Sequence, residues 1–209
     1  MALKVKSIEY EITEMNPYEK TELLIKSNPV HKKIPVLVHG DIPICESLII
    51  LEYIDEAWTN GPSLLPLDPY ERSIARFWAT FVDDKFVPLL GKIKASKGKE
   101  AKEAFLEEIY EVLVLLEDAF INCNKGKAFF GGYDVGYLDL ALGSFVGSTK
   151  VFEIEIGVKI FDEAKTPFLV RWTERLYSDS LVKDLMLDPQ EYLKLFKKFE
   201  AMMQKASSD

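Results

Sequence analysis

One stretch constrains this chain more than any other: Asn28 to Trp58, NPVHKKIPVLVHGDIPICESLIILEYIDEAW. Ile34, Val36 and Val38 alternate with Pro35, Leu37 and His39, a β-branched run suited to a strand. Gly40-Asp41 is a hairpin signal, and Ile42-Pro43-Ile44 reads as a second short strand. Pro43 has no N–H to give a ladder, so that strand is an edge or is very short. Glu46-Ser47 opens a helix that sets Leu48, Leu51, Ile54 and Trp58 on one face. Two adjacent lysines, a proline inside a strand and a Glu-Ser pair at a helix start go beyond what packing needs.

Upstream, Ile8, Tyr10 and Ile12 alternate with Glu9, Glu11 and Thr13, which predicts a half-buried strand. Asn16-Pro17 is a break, and Lys20 to Lys26 reads as a short helical piece. Ala2 to Lys4 reads as a helix end. Downstream, Thr59 to Asp68 (TNGPSLLPLD) is rich in Gly and Pro and lacks periodicity. It divides the chain into a domain over 1–58, a linker over 59–68 and an all-helical domain over 69–209. Asp68-Pro69 starts a helix to about Leu90 by an N-cap and a proline at the first position. A second helix covers Lys99 to Phe120, a loop Asn122 to Gly132, and a compact apolar helix Gly136 to Val146. Thr166-Pro167 and Asp188-Pro189 open the last two. In the apolar helix Gly136 is a plausible N-cap. Asp139 is placed to reach back to the open amides, and Val135 and Leu140 form the accompanying staple. This is a folding device rather than a catalytic one.

The formal net charge of -8 and the scattering of lysines among acids leave no basic patch for nucleic acid. No apolar run approaches the roughly 18 residues that would cross a membrane. The start of the chain has no signal-peptide pattern. Cys45 and Cys123 lie far apart with no metal-binding spacing, which fits a reducing, cytoplasmic setting. Cys45 reads as a small packed residue, although a thiol before a helix start could serve redox chemistry.

A proline between Ile34 and Val36 removes a ladder donor. A cis bond there would turn the main chain of Ile34 toward an extended peptide ligand. A proline merely starting the strand is the plainer alternative. At a helix N-terminus the free amides of the Glu46-Ser47 turn favour an anion. The Ser47 hydroxyl adds a donor to a carboxylate, and Glu46 accepts from an ammonium. An ordinary capped turn is the alternative. Lys20, Lys32 and Lys33 are point charges for a carboxylate, or else a solvated basic loop. Together these groups suit a short peptide with two acidic ends, and glutathione has that shape.

NPVHKKIPVL followed by ICESLIILEYID closely resembles the glutathione-binding half of plant tau-class glutathione transferases. GYLDLAL, residues 136–142, resembles the capping segment of the buried helix in the same family. The resemblance implies an α+β fold: a thioredoxin-like N-terminal domain and an all-helical C-terminal domain, in a cytosolic homodimer. It implies transfer of the glutathione thiolate to electrophilic small molecules, with glutathione as co-substrate and no metal, and without nucleic-acid or membrane partners. Residue by residue, it gives Lys20 and Lys33 to the glycine carboxylate and Ile34 to the cysteinyl main chain. Pro35 becomes the cis proline, and Glu46 and Ser47 the γ-glutamyl contacts. An apolar substrate pocket would draw on Phe81, Phe86, Leu90, Phe196 and Phe199.

The family begins with a strand and a helix ahead of Ile8, with its catalytic serine at the start of that helix. Here Met1 to Lys6 resembles only the helix's last turn, and Ser7 stands on the approach to a strand. No catalytic residue is therefore assigned, an incomplete sheet is expected, and activity is expected to be reduced or absent. A non-catalytic binder of glutathione or apolar ligands is the alternative reading.

Overall fold

The computed structural model describes residues 1–16, 19–96 and 98–206. In the N-terminal domain α1 (Ala2–Val5) buries Ala2 and Val5, and the chain turns at Ser7, whose φ is 54°. The strand expected over Ile8 to Ile12 does not form: residues 8–16 carry no strand, and the Ile12 side chain is 73% exposed. Alternation gives a strand a face, but a strand exists only through a neighbour to pair with. Among the described residues no strand runs alongside this segment. The helix over Lys20 to Lys26 is α2 (Glu22–Ser27), whose N-cap Thr21 accepts from the Leu24 amide at 3.2 Å. Lys20 therefore precedes the helix rather than lying on it.

The sheet is an antiparallel pair, β1 (Val36–His39) and β2 (Ile42–Cys45), with Val36 opposite Cys45 and His39 opposite Ile42. Gly40, at φ 63°, makes the turn between them. β1 begins one residue after Pro35, so Ile34 and Pro35 lie ahead of the strand and not within it. α3 (Ser47–Ala57) follows and buries Ile50 and Ile54, with Leu48, Leu51 and Trp58 half-buried beside them.

The helical domain opens with α4 (Pro69–Phe81), where Asp68 Oδ1 accepts from the Glu71 amide at 2.9 Å. The single helix expected to Leu90 passes through one wide π turn, Val82–Phe86, into α5 (Val87–Ala95). Pro88 accounts for the irregularity. It has no N–H to bond the carbonyl four residues back, and its ring would strike that carbonyl in a regular helix. α6 (Lys99–Asn124) runs four residues past Phe120 and ends at Lys125 in the left-handed conformation. α7 (Tyr137–Gly143) is buried at every position, α8 (Val146–Ile156) continues beyond it, and α9 (Pro167–Ser178) and α10 (Pro189–Ala206) complete the chain. A short 3-10 turn, Lys183–Leu185, separates the last two. No helix of the described residues is long and apolar enough to cross a membrane.

The core packs around α7. Phe130 meets Phe120 edge-on at 4.8 Å and Trp172 at 5.7 Å. Asp139 is fully buried and accepts four hydrogen bonds, from the amides of Phe130, Gly131 and Gly136 and from Trp172 Nε1, all between 2.7 and 3.0 Å. The expected cap at Gly136 is present, and Asp139 additionally ties the loop 130–131 and α9 to α7. Gly131 and Gly136 touch there, and a Cβ on Gly131 would come within 2.7 Å of Gly136 Cα. Glu117 and Glu153 repeat the device. Glu117 takes the amides of Phe168 and Leu169, and Glu153 those of Ile160 and Phe161.

Residues 59–68 contain no helix or strand, yet they are not a loose tether. Leu64 and Leu65 are buried, and their amides donate to Asp55 Oδ1 and Oδ2 at 2.8 and 3.0 Å.

Candidate functional site

The hairpin and the start of α3 bring the main candidates to one region. The Ile34–Pro35 peptide is cis. Ile34 is half-exposed, and neither its amide nor its carbonyl has a backbone partner among the described residues. The loop before it is fixed from within. Asn28 is buried, its Nδ2 donates to the Lys33 carbonyl at 3.0 Å, and its Oδ1 accepts from the His31 amide at 3.0 Å. Lys32 turns through φ 53°, and Lys33 is exposed beyond it. One buried asparagine thus sets the path of the basic loop and of the main chain leading into Pro35.

At the other end Glu46 is the N-cap of α3 but gives no side-chain cap. Its φ of 72° is unusual for a residue with a Cβ, and such strain of order 1–3 kcal/mol persists where the surroundings enforce it. The result is an exposed carboxylate and, next to it, the exposed Ser47 hydroxyl. The amides of Ser47, Leu48 and Ile49 find no acceptor among the described residues. His31 Nε2 stands 3.7 Å from Glu46 Oε1 and links the basic loop to the helix start. Open amides, a hydroxyl and a carboxylate at one helix end can hold a carboxylate and an ammonium side by side, which is the head group of an amino acid. Lys20 is exposed in the loop ahead of Thr21.

A residue that the sequence pattern did not single out also faces this end. Asp83 sits in the π turn, and its carboxyl is pushed up by burial and by the charges of Asp84 and Glu46. The wide turn brings an acid of the helical domain toward the N-terminus of α3, a placement that helical spacing alone does not predict. Cys45 is half-buried, with its Sγ 3.4 Å from the Ser27 carbonyl. Ser7, exposed in the turn after α1, stands in none of these contacts.

The apolar candidates separate. Phe86 and Leu90 are buried in the core. Phe81 is half-buried edge-on to Trp78. Phe196 and Phe199 lie on α10, with side chains outside the described residues. A cavity of about 770 Å³ lies elsewhere, between residues 63–68, the first turns of α4, the end of α6 and the 130–132 loop, and none of the candidate residues lines it. Among the described residues no cluster of His, Cys, Asp or Glu is arranged to hold a metal.

Tyr137 donates from α7 to the Leu48 carbonyl and to Glu52 Oε1 at 3.4 and 3.3 Å, and Glu52 pairs with Arg76 at 2.7 Å. Burial and the Glu52 charge hold the Tyr137 hydroxyl well above its ordinary range. The helix that carries Ser47 is thereby joined to the helical domain.

Comparison with known proteins identifies relatives of this chain. Residues 1–56 match the family described as glutathione S-transferase, N-terminal domain. The chain is 51% identical over 187 residues to glutathione S-transferase U18 of Arabidopsis thaliana, covering 89% of this chain and 82% of the relative. It is 43% identical over 202 residues to the probable glutathione S-transferase GSTU6 of Oryza sativa subsp. japonica, covering 94% and 86%. Among solved structures, the tau-class glutathione S-transferase of mango, Mangifera indica, superposes with a TM-score of 0.90 at 51% identity, covering 95% of this chain and 90% of that one. Rice GST1, solved in complex with glutathione, gives a TM-score of 0.84 at 33% identity, covering 96% and 90%.

Proposed function

The chain belongs to the tau class of the plant glutathione S-transferases, and on that footing we propose that it conjugates glutathione to apolar electrophilic small molecules. The glutathione thiol gives its proton to solvent. The thiolate then forms a bond to an electrophilic carbon, whose leaving group departs with the bonding pair. The observation that carries this reading is the start of α3, where a strained Glu46, an exposed Ser47 and three open amides stand beside the cis Ile34–Pro35 bend. In this reading Glu46 accepts from the γ-glutamyl ammonium, and Ser47 with the open amides holds its carboxylate. The main chain of Ile34 pairs with the cysteinyl residue, Pro35 setting its direction, and Lys20 and Lys33 hold the glycine carboxylate. These six residues hold the tripeptide and assign no donor to its sulfur. The names of the relatives favour a transferase over a non-catalytic binder.

The reading extends to a cytoplasmic homodimer with a detoxifying role. Tyr70 and Phe77, one heptad apart on α4, are both largely exposed, and Leu67 is exposed just before them. Such a stripe supports contact with a second copy. The test is calorimetry with glutathione, followed by turnover of a chlorodinitrobenzene-type substrate. Binding with turnover upholds the proposal; binding without turnover returns the chain to the ligand-binder reading.

A further inference from the structure

The buried ion pair between Lys6 and Asp55 has no place in holding the tripeptide, yet it anchors residues 64–65, from which a hydrogen bond reaches the helical domain. Lys6 Nζ lies 2.7 Å from Asp55 Oδ1, with the Lys6 side chain 1% exposed and the Asp55 side chain 8%. The ammonium also donates to the Trp58 carbonyl at 3.0 Å and to the Asp55 carbonyl at 3.5 Å, capping the C-terminal end of α3. Asp55 uses its oxygens on Lys6, on the successive amides of Leu64 and Leu65, and on the Ser63 hydroxyl at 3.4 Å. Gly61 lies against the Lys6 side chain, so residues 61–65 close over the pair. The chain of contacts then crosses to the helical domain. The Leu64 carbonyl accepts from the Tyr137 amide, the first of α7, at 2.8 Å, and the Tyr137 hydroxyl returns to α3 at Leu48. α3, residues 64–65 and α7 thus form one closed loop of hydrogen bonds, with Lys6 and Asp55 at its corner.

A buried ion pair is an inefficient way to gain stability, because desolvation cancels most of the attraction. What it supplies is direction, since a carboxylate with four donors accepts only one arrangement of them. We propose that Lys6 and Asp55 are positioning residues for the transfer reaction, a latch that fixes the angle of the helical domain to α3. This rests on the transferase reading above. The latch acts on the second substrate rather than on glutathione. The tripeptide's proposed contacts lie within 20–47, so a change in the angle of the helical domain leaves them in place and falls on the second substrate, whose site this proposal puts between that clamp and the helical domain.

The test compares the full chain with Lys6→Met and Asp55→Asn, in glutathione calorimetry, steady-state kinetics with chlorodinitrobenzene and amide hydrogen exchange. In the variants the glutathione Kd stays within about twofold of the unsubstituted chain, while KM for the electrophile rises roughly fivefold or more. Exchange at Leu64, Leu65 and Tyr137 accelerates together by about tenfold, with Ile50 and Ile54 in α3 unchanged. An unaltered electrophile KM in folded but less stable variants reduces the pair to a structural role and overturns the proposal. A glutathione Kd that rises in step with KM overturns it too, since that is general damage to the domain. If Asp55→Asn does not fold, Lys6→Met decides, because it leaves Asp55 with both amides. If the unsubstituted chain binds no glutathione, the transferase reading fails, and the three amides still judge the latch.

Discussion

The start of α3 and the start of α7 are both helix N-termini that carry an acid, and they use it in opposite ways. At α7, Asp139 is fully buried and every oxygen is engaged, with four N–H donors within 3.0 Å. At α3, Glu46 is exposed, gives no cap to its own helix, and stands beside an exposed Ser47 and three amides that find no acceptor among the described residues. The first end has spent its hydrogen-bonding capacity on the fold; the second has kept it. A polar group that is saturated inside a protein explains itself by the cost of leaving it bare, about 1–3 kcal/mol for each donor or acceptor. A helix end left open at the surface is ordinarily met by water; on a strained residue beside the cis bend, the proposed function reads it as held open for the tripeptide.

The largest effect that would break this contrast is on the buried side. Asp139→Asn leaves an amide N–H facing backbone N–H groups and removes the charge that they share. Unfolding in urea should show a loss of about 3–5 kcal/mol at neutral pH. Below the unfolding midpoint, glutathione affinity should be unchanged. A loss under 1 kcal/mol would mean that the four contacts are idle.

The same variant makes a prediction in pH. Burial pushes the Asp139 carboxyl up to about 6, with its four N–H donors opposing the shift. The unfolded chain titrates near 3.9. Between those values the folded state binds the proton more tightly, so the contribution of Asp139 to stability falls as pH rises from about 4 to about 6 and is flat above. Asn does not titrate, so the gap between the two proteins should widen as pH falls from about 6 to about 4. Asp55 runs the other way. Burial raises its carboxyl, but the bonds from Leu64, Lys6 and Leu65 outweigh that and hold it below the ordinary carboxylate range. Its contribution is complete above the unfolded pKa and is lost as pH falls below about 4. Two parallel slopes would show that the bonds from Leu64, Lys6 and Leu65 do not outweigh the burial of Asp55.

On the open side the effects should appear in binding and hardly at all in stability. Glu46→Gln keeps the shape and removes the charge offered to an ammonium, which for a charge-assisted bond amounts to about 1.5–3 kcal/mol. Glutathione Kd should rise roughly 10- to 100-fold, with the urea midpoint nearly unchanged. A shift in stability with no shift in Kd would move Glu46 to the structural class and undo the contrast.

How far the sequence reveals these roles follows from the same distinction. Local chemistry was readable: Gly40-Asp41 for the turn, Asp68-Pro69 for the start of α4, and Gly136 with Asp139 for the capped helix. Each signal is complete within a few residues. What depends on a distant partner was not. The strand at Ile8 to Ile12 needed a neighbour, the π turn answers Pro88 in its helical context, and Asp55 is a plain acid in EYIDEAW until Leu64 and Lys6 come to it. Asp83 is likewise one acid among many until the π turn presents it toward Glu46. The clamp candidates could be named from the sequence because they fall within one stretch, 20–47, whereas the apolar candidates, drawn from distant helices, separate, and the joint between the domains was hidden because its parts are far apart.

The smallest expected effect tests the far end of the same site. Lys33 is exposed, and among the described residues its ammonium has no partner, so Lys33→Ala should leave stability within about 0.5 kcal/mol. An exposed charge acting on a carboxylate is worth about 0.2–1 kcal/mol, which sets a rise of about 1.4- to fivefold in glutathione Kd. Because screening shortens from about 30 Å at 0.01 M salt to about 3 Å at 1 M, that rise should shrink with added salt. The effect of Glu46→Gln, where hydrogen bonding adds to charge, should persist. A Lys33 effect as large and as salt-resistant as that of Glu46 would require a fixed hydrogen bond from the basic loop. The buried Asn28, which shapes that loop through the Lys33 carbonyl, would then belong to the clamp as much as the start of α3 does.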